Sequence, residues 1–214
     1  MSKQRQIFSD FITRCASDHE RLLALFDLYH SLLLNSNSYI NLISRQTDES
    51  DIWTVHFYDS LLPIEAGISF DQKIVLDFGT GGGLPGIPLN IVFPQSSFYL
   101  LDSRKKKIKE VQNFIESMNL ANCHTISERL EETKLDLLRR NYGMRELFDV
   151  IVCRSVKIDH PLMSKMLSLL NTKGYILLYK GREIKELELP FKTEVVYSTQ
   201  KEWGERNLIK IRKI

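Results

Sequence analysis

Hydrophobic positions follow two regimes along this chain. Leu22, Leu25, Phe26, Tyr29, Leu32 and Leu33 recur at spacings of three and four, which predicts an amphipathic helix over roughly Asp18 to Leu34. The stretch before it also reads as helical. A polar break, Asn35-Ser36-Asn37-Ser38, separates this helix from Tyr39 to Arg45, and Asp48 can cap a further helix running through Trp53, Phe57 and Leu61. Residues 1–70 therefore read as a helical N-terminal extension packed on the remainder of the chain.

From Lys73 onward, apolar runs of strand length alternate with helical patterns, the signature of βαβ units and a mainly parallel sheet. Strands are expected near 73–77, 97–101, 122–127, 147–153 and 174–180. Helices fill the intervals at about 85–93, 105–118, 129–140 and 160–170. Right-handed crossovers put them on both faces of a twisted sheet. Two more extended runs, Lys192–Ser198 and Asn207–Arg212, finish the sheet as a hairpin. Residues 71–214 thus read as one α/β domain, whose ligand site lies outside the carboxyl ends of the strands.

Composition narrows the class. With 214 residues, 43% hydrophobic and 26% charged, the chain can build one well-cored domain with an appendage, and disordered or collagen-like classes are excluded. The apolar segment Leu22–Leu34 is broken by Asp27, His30 and Ser31 and is too short to cross a membrane. Met1 to Gln6 leads into no apolar run of the kind a secretory signal needs. A cytoplasmic location without membrane contact is expected. Cys15, Cys123 and Cys153 are odd in number and form no C-x-x-C pair, and histidines 19, 30, 56, 124 and 160 show no metal-ligand spacing, so no metal is expected. The formal net charge is only +2. A nucleic-acid partner would have to meet a local basic patch rather than a global field.

The densest chemistry lies where the first expected strand ends. Asp77-Phe78-Gly79-Thr80-Gly81-Gly82-Gly83 passes directly into Leu84-Pro85-Gly86-Ile87-Pro88-Leu89: a strand, a glycine turn and a helix start. Glycines permit positive φ and close approach of a ligand, and Pro85 suits a first helical turn. Gly81, Gly83 and Gly86 satisfy the G-x-G-x-x-G spacing of a dinucleotide site. The carboxylate of Asp77 would repel a pyrophosphate but suits a ligand bearing an ammonium and a sulfonium, which favours S-adenosylmethionine over a nicotinamide dinucleotide. Asp77 could alternatively only tie down the glycine loop. Asp102, at the end of the second strand, stands where an acid accepts hydrogen bonds from ribose hydroxyls, or else caps the next helix. The run Arg104-Lys105-Lys106-Lys107-Ile108-Lys109 puts cations at a helix N-terminus, against the macrodipole, which makes Lys105 and Lys106 candidates for phosphate contact as well as for a solvated face.

These blocks, taken together, resemble the RsmG (GidB) family. The resemblance rests on Asn41-Leu42, His56-Phe57-Tyr58-Asp59-Ser60-Leu61, the whole turn from Asp77 to Leu89, and Leu101-Asp102-Ser103. It continues through Arg129-Leu130-Glu131-Glu132, Phe148-Asp149-Val150-Ile151 with Arg154, Lys180-Gly181 and Gly204-Glu205-Arg206, spanning about residue 39 to the C-terminus. It implies a Rossmann-like class I S-adenosylmethionine methyltransferase fold. The implied activity is methyl transfer to guanine N7 in the 530 loop of bacterial 16S rRNA, by a monomer acting on that RNA or on the small ribosomal subunit.

Carried over by position, Gly79, Gly81, Gly83, Leu84, Leu130, Glu131 and Arg154 would join Asp77 and Asp102 at the cofactor. Asn41, His56, Lys180 and Arg206 would join the lysines at the RNA. Guanine N7 carries no proton, so the transfer needs no general base. His56 and Arg154 are then expected to position rather than to react. Val55, Ser155 and Asn207 depart from the usual residues of the family, which affects only the RNA-contact map. Three rivals remain at this level: a same-fold methyltransferase with a small-molecule or protein acceptor, a nicotinamide-dependent oxidoreductase using the G-x-G-x-x-G spacing, and a non-catalytic ribosome assembly factor.

Overall fold

The computed structural model describes residues 1–132, 135–142, 146–182 and 191–212, without the side chains of Glu131, Leu135 and Arg139. The chain begins with α1 (Lys3–Cys15), capped where the Arg5 backbone N–H donates to Ser2 Oγ, and α2 (His19–Asn37). A 3-10 turn (Glu49–Asp51), a π-helical segment (Ile52–Tyr58) and short α3 (Leu62–Glu65) follow. Then come β1 (Ile74–Phe78), α4 (Gly86–Val92), β2 (Ser97–Leu101), α5 (Lys105–Ser117) and β3 (Cys123–Ile126). A 3-10 turn (Leu130–Glu132), α6 (Leu135–Tyr142), β4 (Phe148–Arg154), α7 (His160–Ser168), β5 (Leu170–Lys180), β6 (Lys192–Lys201) and β7 (Gly204–Arg212) complete it.

The strands form one sheet in the order β3-β2-β1-β4-β5-β7-β6. β1 through β5 pair in parallel, and β7 joins β5 and β6 antiparallel. Strand order reverses at β1, which lies between β2 and β4. The crevice beyond its carboxyl end is therefore the switch point at which such sheets bind ligands.

The period of two along β1 sends Val75 to one side and Leu76 to the other. On the Leu76 side, Leu101, Ile126, Ile151, Met163, Met166 and Leu178 close a core under α7. On the Val75 side, Phe98, Leu100, Phe114 and Val152 share one continuous cluster with Phe8, Phe26, Tyr29 and Phe57 of the N-terminal helices. Ring pairs tighten this region: Phe8 meets Phe26 edge-on at 4.7 Å, and Tyr29 stacks on Phe57 at 5.0 Å.

The expected helix from Asp48 through Leu61 is replaced by a 3-10 turn and a π-helical segment. Ile52, Trp53, Thr54, Phe57 and Tyr58 are all buried. At the 100° per residue of an α-helix these five would spread over about 240° of arc. At the roughly 80° of an i→i+5 helix they fall within about 160°. The wider turn gathers them toward the core and leaves Val55 and His56 on the other side, toward the sheet crevice. The expected helix at 129–140 is likewise divided into a 3-10 turn and α6. β5 begins four residues earlier than expected, with a register irregularity opposite Phe148 and Val150.

Candidate functional site

The glycine turn is fastened from inside. Backbone N–H groups of Gly79 and Thr80 donate to the Leu101 carbonyl at 2.9 and 3.0 Å, tying β1's end to β2. Asp77 Oδ2 accepts from Thr80 Oγ1 at 2.6 Å and from the Gly86 N–H at 2.8 Å. The Asp77 carboxylate is fully buried, and its Oδ1 has no partner among the described residues. Burial raises its pKa to about 6 against the pull of these two donors. Gly86 is required here, because a Cβ would sit 2.7 Å from Asp77 Oδ2 and 2.1 Å from Leu100 Cδ2. Asp77 thus braces the turn and the start of α4, the second of the two roles the sequence left open for it. Gly83, at φ 96°, also faces inward, where a Cβ would meet Ile87 and the Tyr29 hydroxyl. Pro85 stands at the cap of α4 rather than within its first turn.

Above this turn lies a cavity of about 590 Å³. Gly79, Gly81, Leu84, Asp102 and Leu130 line it, together with Asn41, Phe78 and Leu101. Gly79 adopts φ 74°, and a Cβ there would collide with Val156 Cγ2 at 2.5 Å. Asp102 accepts from the Gly81 N–H through Oδ2 at 3.2 Å and from the Arg104 N–H through Oδ1 at 2.9 Å. Each oxygen keeps acceptor capacity toward the cavity. Lys105 and Lys106 do not line it: they are exposed on α5, and the lysine and arginine side chains that do line it are Arg104, Lys107, Arg129 and Arg154. The Glu131 side chain lies outside the described residues.

A second cavity of about 240 Å³ adjoins the first. His56, Arg154 and Ser155 line both. Lys180 and Arg206 line only the second, so the residues expected at the RNA divide between the two spaces, with Asn41 in the first. Arg154, at the end of β4, donates through Nη1 to the His56 carbonyl at 3.3 Å and stands with Nη2 3.4 Å from His56 Nδ1. Burial first, and this guanidinium second, push the His56 pKa down to about 3. The imidazole is neutral at physiological pH. Arg206 is committed to Asp59: its Nε donates to Oδ2 at 2.5 Å, while Trp203 Nε1 donates to Oδ1 at 2.6 Å. Burial raises the Asp59 pKa against the pull of Arg206.

Several site residues escape sequence reading. The Tyr29 hydroxyl donates to the Gly82 carbonyl at 2.7 Å, linking α2 to the glycine turn, and nothing local in the sequence signals a bond between residues so far apart. Ser155 holds φ 60° in the shared wall, a conformation uncommon outside glycine. Tyr179 donates to the Ser60 carbonyl at 3.0 Å, closing the second cavity against the segment after the π-helix. Asp59 had a usable signal, since it lies three residues beyond His56. Among the described residues no cluster of three or more His, Cys, Asp or Glu could hold a metal ion. No described helix is long and apolar enough to cross a membrane.

A sheet reversed at β1, a glycine turn beyond that strand and an acid ending β2 define the fold of the S-adenosylmethionine-dependent methyltransferases. A crystal structure of such an enzyme from Aquifex aeolicus superposes with a TM-score of 0.58 at 13% identity, covering 77% of this chain and 94% of that one. The chain belongs to the GidB family, described as rRNA small subunit methyltransferase G, whose family model matches residues 22–208. Two relatives carry the name "Ribosomal RNA small subunit methyltransferase G". One, from Thermoanaerobacter sp. (strain X514), is 37% identical over 161 residues, 75% of this chain and 65% of that protein. The other, from Carboxydothermus hydrogenoformans, is 32% identical over 224 residues, 100% of this chain and 91% of that protein.

Proposed function

We propose that the chain transfers a methyl group from S-adenosylmethionine to N7 of a guanine in the 530 loop of 16S rRNA. One observation carries the reading: two cavities share a wall at the carboxyl ends of β1 and β4, and all their lining residues fall within the family-matched region 22–208. A single chain supplies both cavities, which supports a monomer, and a ribosomal substrate puts the enzyme in the cytoplasm. Residues 1–70 are then a helical extension that helps to build the site, and 71–214 the methyltransferase domain.

The larger cavity fits the cofactor. The Asp102 carboxylate, oriented by two backbone N–H groups, retains lone pairs for the ribose hydroxyls. Leu101 and Leu130 offer apolar walls to the adenine, and the glycine turn lets the ligand lie against backbone. When bound, the cofactor supplies an electrophilic methyl carbon.

The protein's task is chiefly to place the base. Guanine N7 has a lone pair and no proton, so neutral His56 need not act as a base. Holding the reactants in a near-attack arrangement can lower the barrier by roughly 7–11 kcal/mol. Arg154 closes the wall between cofactor and base. Asn41 at the first cavity and Lys180 at the second contact the RNA. Arg206, held by Asp59, shapes the second cavity, and Lys105 and Lys106 meet phosphates beside Arg104.

The test is incubation with methyl-labelled cofactor and small ribosomal subunits lacking the 530-loop modification, followed by N7-selective chain cleavage. Label at one loop guanine is expected. Bound cofactor without label in the RNA would refute the reading.

A further inference from the structure

His56 stands where the two cavities meet, and its ring chemistry is fixed by its neighbour. A guanidinium only donates hydrogen bonds. Arg154 Nη2 lies 3.4 Å from Nδ1, so Nδ1 is the accepting nitrogen, and the single hydrogen of the neutral ring resides on Nε2. The depressed pKa agrees with a ring that stays neutral. That Nε2 is buried and has no acceptor among the described residues. A buried donor left unpaired is costly enough that native structures seldom keep one without a reason. Its acceptor is therefore to be sought in what the cavities bind.

The Hoogsteen edge of guanine presents N7 and O6 side by side, both acceptors. Adenine presents N7 beside an amino donor. A fixed N–H next to the methyl-accepting nitrogen matches the first and conflicts with the second. Resting on the guanine-N7 reading above, we propose that the second cavity receives the target base and that His56, held as the Nε2–H tautomer by Arg154, donates to guanine O6 and so selects guanine over adenine. Because Nε2 is covered by protein when no base is present, the surrounding wall must yield as the base binds. His56 also lines the larger cavity, where the cofactor's carboxylate would be the competing acceptor.

The test compares kcat/KM for two loop RNAs, one with guanine and one with 2-aminopurine at the target position. 2-Aminopurine keeps N7 and lacks O6. Wild type, His56→Phe and His56→Gln are each assayed on both RNAs, and cofactor affinity is measured by equilibrium binding. The ratio of the two rates is independent of the fraction of protein folded, and the intrinsic difference in N7 reactivity cancels between enzymes. The guanine preference of wild type should exceed that of His56→Phe by about 10- to 100-fold. His56→Gln retains an N–H donor and should fall between. An equal preference in wild type and His56→Phe overturns the proposal. So does a loss of cofactor affinity in His56→Phe that slows both RNAs alike, which would assign the N–H to the cofactor. If wild type binds cofactor and methylates neither RNA at N7, the guanine-N7 reading itself falls.

Discussion

Asp77→Asn separates a carboxylate that faces a ligand from one that braces the turn. In the folded chain Asp77 titrates near pH 6, about two units above its ordinary value of 3.8, because burial disfavours the charged form. The folded state therefore binds more protons than the unfolded state between about pH 4 and 6, and stability falls as pH rises through that window. At 1.36 kcal/mol per unit the loss is about 3 kcal/mol, complete above pH 7. The asparagine variant has no charge to bury there, and its side-chain oxygen can still accept from Thr80 and Gly86. Its amide nitrogen replaces the unpartnered Oδ1 and sets a pH-independent offset. The melting temperature of the variant minus that of wild type should thus climb with pH from 4.5 to 7 and then level off. Between pH 4.5 and 7 about 2 kcal/mol of that loss occurs, so for a chain of this length the climb is roughly 4–8 °C. Thermal unfolding at constant ionic strength, without cofactor, measures it. A difference that stays flat across the window would refute the buried, bracing role.

Other substitutions probe the remaining joints. Tyr29→Phe keeps the ring stacked on Phe57 but leaves the Gly82 carbonyl unpaired; it should cost about 1–2 kcal/mol in denaturant unfolding and weaken cofactor binding, though residue 29 lines neither cavity. Gly79→Ala forces a side chain into positive φ and against Val156 and should cost about 2–4 kcal/mol; adding Val156→Ala should recover only the share due to the collision. Asp102→Ala should lose at least about tenfold in S-adenosylmethionine affinity by calorimetry while the far-ultraviolet circular dichroism is unchanged.

The periodicities that place β1 through β4 are local properties of the chain, and the observed strands fall within a residue or so of the expected ranges. The glycine turn and Asp102 were legible for the same reason, since each combines residue type with position at a strand end. The π-helical segment was not, because seven residues are too few to tell a period of 3.6 from a wider one when Trp53, Phe57 and Tyr58 are all apolar. Asp77 could be read either way from sequence. Its direction is decided by Thr80 and by the missing Cβ of Gly86, nine positions on. Tyr29 is less legible still, since its partner is a backbone carbonyl that carries no residue signature. The division of expected RNA residues between two cavities depends on how the helical extension and the β6–β7 hairpin pack on the sheet, through Asp59, Trp203 and Arg206.

The most direct measurement is the position of guanine N7 relative to the cofactor sulfur in a crystal structure of the chain with S-adenosylhomocysteine and a 530-loop RNA fragment. The account predicts the ribose at the Asp102 carboxylate and the base in the cavity between His56 and Tyr179, its N7 turned toward the sulfur across the Arg154 and Ser155 wall. A base lodged elsewhere, or a cofactor analogue that does not touch Asp102, would contradict it.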